Sequence, residues 1–344
     1  MTSYIVTGAS GFAGIHFLNS LIDLRETSEY ICPVSFKHGG HKERFASILK
    51  PDLLNRIEII ETDLAKERIK SIVSESLPHT IVNFASESHV DRSITSPDAF
   101  FDNNIQLMIN VLEFARNSKS RLIHISTDEV YGEIPIGSTN FEWERNFMPS
   151  NPYSASKVAQ EALIISYCRT FNVDVTIMNF TNLIGEGQNQ EKFIPRAISR
   201  ILNGKVINID TDKSGLVGSR KYLDVRVMSK AVMKILKLDS SYLRETFDVA
   251  TSVPLKFHVP GIKETTNEEI IQFIAKKLNK EPLLTKNPSP RQGYDLRYDL
   301  TTSRMMKLGF DSSFDLYDRL AEVVDFTLQN PFWLEKNHPD NSDC

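Results

Sequence analysis

Tyr4 to Gly14 reads YIVTGASGFAG, a short apolar run that breaks into three glycines, Gly8, Gly11 and Gly14, and then into an amphipathic segment running to about Leu24. A strand that turns into a helix through glycines is what a dinucleotide pyrophosphate requires. The missing side chains let the backbone approach the phosphates, and the helix start offers unpaired amides and the positive end of the macrodipole. The cofactor-binding residues assigned on this basis are Gly8, Gly11, Phe12, Ala13 and Gly14.

Outward from that junction, apolar runs alternate with amphipathic stretches: YICPVSF, RIEIIE, HTIVNFA, a helix through NIQLMINVLEFAR, then RLIHIST, a helix from about Tyr153 to Phe171, and VDVTIMNF. Short continuous apolar runs fit strands covered on both faces, and strand–helix alternation predicts parallel strands with right-handed crossovers. The fold class is α/β, a doubly wound parallel sheet of Rossmann type. From TNLIGEGQNQEKF onward the pattern turns irregular: helices around 192–203, 226–237, 266–279 and 313–329 mix with short strands such as KVINI and TFDVA. This predicts a dinucleotide-binding domain over 1–180, with later segments at about 222–250 interleaved. A smaller mixed α/β C-terminal lobe follows, mainly over 181–335, and then a loose tail, 336–344.

The chain has 344 residues, is 41% hydrophobic and carries a formal net charge of −4 with both signs dispersed. Such a chain buries a substantial core and offers no electrostatic footprint for nucleic acid. No window holds eighteen uncharged apolar residues and no secretory leader is visible at the N-terminus, so a cytoplasmic protein with no membrane partner is expected. Cys32, Cys168 and Cys344 are far apart and lack metal-ligand spacing, which predicts reduced thiols and no metal.

At the adenosine end, the second strand should finish near Ser35, where an acid commonly binds the ribose hydroxyls of NAD. Here the segment reads SFKHGGHKER, with Ser35, Lys37, His38, Lys42 and Arg44 and no acid until Glu43. Two readings stay open: a cation set for a 2′-phosphate, or a NAD site that holds ribose through Ser35. Asp63 and Leu64, closing the third strand, are placed to meet the adenine.

Two further stretches carry chemistry. STDEVYG, residues 126–132, puts Asp128 and Glu129 at the end of a buried strand, and YSASK puts Tyr153 and Lys157 one turn apart on one helix face. The ammonium should depress the phenol pKa and let Tyr153 act as a base toward a substrate hydroxyl.

With these residues in place, the chain resembles the extended short-chain dehydrogenase/reductase superfamily, and within it the nucleotide-sugar 4,6-dehydratases, most closely those acting on dTDP-glucose. TGASGFAG, ASESHVDRSITSP, ISTDEVYG, NPYSASK, NQEKFIP and RQGYDLRY carry the resemblance, which runs over nearly the whole chain. It implies transient oxidation of the sugar at carbon 4, loss of water across carbons 5 and 6, and hydride return to carbon 6. Tyr153 would be the base at carbon 4 with Lys157 beside it, Thr127 would align the hydroxyl, Glu129 would remove the carbon 5 proton, and Asp128 would protonate the departing hydroxyl. The implied cofactor is NAD, with NADP left open by Ser35, and Ala85, Ser86 and Asn104 join its contacts. Ser88, His89, Asn182, Lys192, Phe193, Arg220, Arg291 and Tyr294 are the implied substrate contacts. A homodimer is implied through the helices at about 98–117 and 153–171.

Departures from the family pattern loosen the substrate identity more than the reaction. Asn179 stands where an arginine is common, Lys221 and Tyr222 replace an Asp-Trp pair, and Val227 occupies an acidic position. The base and hexose stay open, and a 4-epimerase or decarboxylase of the same superfamily is the competing expectation.

Overall fold

The computed structural model describes residues 3–23, 29–288 and 292–335. Among them, seven strands form one parallel sheet: β1 (Ser3–Thr7), β2 (Glu29–Val34), β3 (Ile57–Glu61), β4 (Thr80–Asn83), β5 (Arg121–Thr127), β6 (Val175–Phe180) and β7 (Leu255–Val259). Their order across the sheet is β7-β6-β5-β4-β1-β2-β3. The chain builds outward in one direction from β1 to β3, then reverses and builds outward from β4 to β7. The switch point lies between β1 and β4, paired with Thr7 opposite Asn83, and crevices open at such points beyond the carboxyl ends of the strands.

Both faces of the sheet are covered, which is why β6, VTIMNF, is buried at every position. On one face α1 (Phe12–Ser20) lies against the later helix Val225–Leu236, and Phe17, Leu18, Met228, Val232 and Phe257 share one core. On the other, α2 (Pro97–Asn117) and α3 (Pro152–Phe171) pack side by side over Ile5, Ile81 and Val175. A separate apolar cluster, including Ile194, Ile198, Ile270, Ile274, Leu320 and Val324, holds the C-terminal helices together.

Two local expectations change. The first helix stops at Ser20 and tightens into a 3-10 turn over Leu21–Asp23. TFDVA is not a strand: Ser240–Phe247 is helical, Asp248 closes it in the left-handed conformation at φ 50°, and the chain rejoins the sheet only at β7. β7 is LKFHV, buried at all five positions beside β6, so edge-strand pairing overrode the weaker local signal. Arg291 and the segment 336–344, which includes Cys344, lie outside the described residues. Cys32 and Cys168 are buried free thiols. Among the described residues, no helix is long and apolar enough to cross a membrane.

Candidate active site

A cleft of about 470 Å³ opens over the carboxyl ends of β1, β4 and β5 and is closed on its far side by the C-terminal lobe. At one end Gly8 takes φ +69°, and a Cβ added there would sit 2.6 Å from the Ala85 amide nitrogen. A Cβ on Gly14 would lie 2.3 Å from the Gly8 carbonyl oxygen, so neither position admits a side chain without moving backbone. The Gly11 amide donates to Gly8 O at 3.0 Å, and Gly11 starts α1 with no capping side chain. Phe12 and Ala13, whose amides lack such a cap, line the cleft. This concave backbone and uncapped helix end fit a dinucleotide pyrophosphate.

Ser35, Lys37, Asp63 and Leu64 line the adenosine end, with Ala85 and Ser86 across from them. The Lys37 ammonium reaches the Asp63 carboxylate at 2.9 Å. Burial pushes the Asp63 carboxyl up, but hydrogen bonds from Lys37 and the Ala65 amide outweigh it and hold the group below the usual aspartate range. Asn104 is not among the residues that line the cleft. It is fully buried outside the cleft, where its amide bonds the Glu87 N–H at 2.8 Å, the Glu87 carbonyl at 3.1 Å and Ser156 Oγ at 3.0 Å. It therefore positions the loop after β4 and does not line the cofactor space.

Thr127, Asp128, Glu129, Tyr153 and Lys157 all line the middle of the cleft. Thr127 ends β5 and caps a 3-10 turn over Asp128–Tyr131, its Oγ1 accepting the Glu129 amide at 3.3 Å and donating to Asp128 Oδ1 at 3.0 Å. Asn151 caps α3 reciprocally with Ser154, and Pro152 occupies the first turn, which places Tyr153 at the helix start. The Asn151 side-chain amide also donates to Glu129 Oε2 at 3.5 Å. Asp128 is buried, and burial first, then the Glu129 charge, raises its carboxyl to about 7. Burial lowers the Lys157 ammonium to about 8, opposed by Glu161, and the ammonium donates to the Ile125 carbonyl at 2.8 Å.

The phenol departs from expectation. Burial and then the Glu129 carboxylate push the Tyr153 pKa up, opposed by a hydrogen bond with Thr127. The protein's own groups thus favour the neutral phenol, while the Lys157 ammonium donates to the Ile125 carbonyl.

On the substrate side, Lys192 Nζ donates to the Ser88 carbonyl at 2.8 Å and lies 3.4 Å from Ser88 Oγ. The His89 ring caps the short helix Val90–Thr95 by accepting the Arg92 amide at 3.1 Å, and burial pulls its pKa down to about 4. Its ring still lines the cleft, as do Asn182 and Phe193. Arg220 lines it too, with its guanidinium on the carbonyls of Ser219, Asp295 and Leu296 at 2.7–2.8 Å and over the Tyr298 ring at 4.7 Å. Tyr294 does not line the cleft; it packs against Gly218 and the Arg220 guanidinium. Tyr222 and Tyr298 take the lining positions instead.

Sequence reading also missed the layer beneath the strand end. Glu161, fully buried, accepts Ser126 Oγ at 2.6 Å and Asn179 Nδ2 at 2.8 Å and pairs with Lys256 at 2.7 Å. Asn179 donates in addition to the Thr127 carbonyl at 2.9 Å. The available signal was helical spacing, since Tyr153, Lys157 and Glu161 follow one another at intervals of four.

Comparison with known proteins places this geometry. Residues 4–250 match the model of the NAD dependent epimerase/dehydratase family. A dTDP-glucose 4,6-dehydratase of Mycolicibacterium smegmatis is 28% identical over 337 residues, covering 96% of this chain and 94% of its own. The crystal structure of DesIV, a dTDP-glucose 4,6-dehydratase from Streptomyces venezuelae with NAD bound, superposes with a TM-score of 0.83 at 28% identity, covering 97% of this chain and 99% of the other. A UDP-N-acetylglucosamine 4-epimerase from Methanobrevibacter ruminantium shares the fold at a TM-score of 0.79 and 23% identity, covering 96% of this chain and 99% of its own. The chain belongs to the NAD dependent epimerase/dehydratase family.

Proposed function

We propose that the protein is a nucleoside-diphosphate-hexose 4,6-dehydratase that converts a dTDP-glucose-like substrate to a 4-keto-6-deoxy sugar. The observation that supports this reading is the pair Asp128 and Glu129, both lining the cleft beside Tyr153 and held in unlike environments, one buried and raised to about 7, the other half-buried next to Asn151. Two carboxyl groups in unlike surroundings, one of them held protonated by burial, can serve as an acid and a base at the same pH. An enzyme that only epimerises carbon 4 has no step for a second acid–base pair.

Thr127 and Tyr153 hold the carbon 4 hydroxyl, and Tyr153 takes its proton. A nicotinamide dinucleotide bound on the glycine loop supplies a hydride acceptor and donor and, when oxidised, a positive ring that favours the phenolate. The carbon 4 ketone acidifies carbon 5, Glu129 removes that proton, and protonated Asp128 delivers its own to the carbon 6 hydroxyl, which leaves as water. Lys192 and Arg220 offer cationic groups for the diphosphate. NAD is the proposed form, because Lys37 at the adenosine end is drawn to Asp63. We also propose a homodimer, supported by the half-exposed apolar stripe Phe101, Ile105 and Ile109 along α2.

Incubation with a panel of sugar nucleotides tests the reaction. A dehydratase releases a 4-keto product that gains a near-ultraviolet chromophore in base, and Glu129→Gln abolishes it while sparing oxidation at carbon 4. Interconversion of 4-epimers without that chromophore would transfer the assignment to an epimerase.

A further inference from the structure

Arg44 belongs to a five-residue helix, Glu43–Ser47, beside the adenosine end, and its side chain is fully buried. Its guanidinium donates to four acceptors in three separate segments. Nη1 reaches the Ser10 carbonyl at 2.9 Å, inside the glycine loop, and the Gly39 carbonyl at 2.5 Å, in the loop after β2. Nε reaches the Gly187 carbonyl at 3.0 Å, and Nη2 bonds Asn189 Oδ1, both in the segment that leads to Lys192. The Trp333 ring stacks on the guanidinium at 4.9 Å. The His41 amide also donates to Ser10 O at 3.1 Å, and its ring meets Asn189 Nδ2 at 3.2 Å.

All four acceptors are neutral oxygens. A buried cation bonded only to neutral groups is a poor way to gain stability, since an apolar side chain of similar length would pack the same space without the desolvation cost. Burial duly lowers the Arg44 pKa, and the charges of Glu191 and Glu43 pull it back up. Its five fixed donors are what an apolar residue cannot supply: they hold three loops in one geometry. Ser10, Gly39 and Asn189 each line the cleft. Asn189 lies beside Gly39 at the dinucleotide end, and its carbonyl accepts the Lys192 amide at 3.0 Å, which ties it to the segment proposed to meet the nucleotide sugar.

We propose that Arg44 is a positioning residue that couples the two ligand sites: a dinucleotide seated on the glycine loop fixes Ser10 and Gly39, Arg44 carries that order to Gly187 and Asn189, and the segment bearing Lys192 is thereby set for a nucleoside diphosphate. This rests on the two-ligand cleft of the proposed function and not on the dehydration step. Coupling of this kind is reciprocal, so each ligand tightens the other by the same factor.

The test is calorimetric titration of the full chain with dTDP and with UDP, in dinucleotide-free and NAD-saturated states. Wild type should bind one of the two about tenfold tighter when NAD is present. In Arg44→Met that factor should fall to within about twofold while each ligand still binds. Asn189→Leu removes one arm and leaves the cation, so it should lose most of the factor as well, and it carries the test if Arg44→Met does not fold. A merely structural role would lower the melting temperature, or weaken both ligands, with the ratio unchanged, and that result overturns the proposal. It is equally overturned if wild type shows no coupling or binds neither diphosphate. The dehydratase reading fails on a different measurement, absence of keto product from wild type, which leaves the coupling factor readable.

Discussion

The Lys256 ammonium on β7 lies 2.7 Å from the Glu161 carboxylate on α3, and both side chains are buried beneath the strand end that carries Thr127. Removing one partner of such a pair leaves the other charged and unpaired in the core. Lys256→Met is expected to lower unfolding free energy by about 3–5 kcal/mol, and Glu161→Gln in the same chain to recover part of that loss. Urea unfolding of the two single variants and the double variant measures both. Equal losses that simply add would mean that the pair is not coupled.

Asp128 makes stability and turnover depend on pH. Its carboxyl stands at about 7 in the fold against an ordinary 3.8. With the folded value above the unfolded one, the favourable contribution is complete below pH 4, declines as pH rises, and is gone above about 7. At 1.36 kcal/mol per unit the span is roughly 4 kcal/mol. Asp128→Asn should flatten that decline in denaturation curves between pH 4 and 8. In wild type the dehydration step should weaken above about pH 7, where the acid form is lost.

Gly14 faces fixed backbone. Its added Cβ would stand 2.3 Å from Gly8 O and 2.9 Å from the Ala9 Cα, neither of which can rotate away. Gly14→Ala should weaken dinucleotide binding more than tenfold, above about 1.4 kcal/mol, read by calorimetry. Retained affinity would show that α1 shifts without harm.

The stripe Phe101, Ile105 and Ile109 tests the proposed dimer. Ile105→Glu puts a charge at its centre and should convert a dimer to a folded monomer in sedimentation velocity at micromolar concentration. A wild type that sediments as a monomer removes that proposal.

What the amino-acid sequence determined by itself was everything carried by short-range pattern. The glycines at the first strand–helix junction, the buried apolar runs, and Tyr153 with Lys157 one turn apart were all legible, because helix and strand periods place such residues without knowledge of the rest. The side-by-side acids Asp128 and Glu129 were legible for the same reason. Tertiary structure decided what depends on which strand lies beside which. It placed LKFHV at the sheet edge in preference to TFDVA, and it put Lys256 against Glu161. It drew Asn104 out of the cleft to hold Glu87, exchanged Tyr294 for Tyr222 and Tyr298, and aimed Arg44 at three loops. The ionisation of Tyr153 belongs to this second group, because burial and the Glu129 field, which arise only when the chain closes around the site, outweighed the local spacing to Lys157.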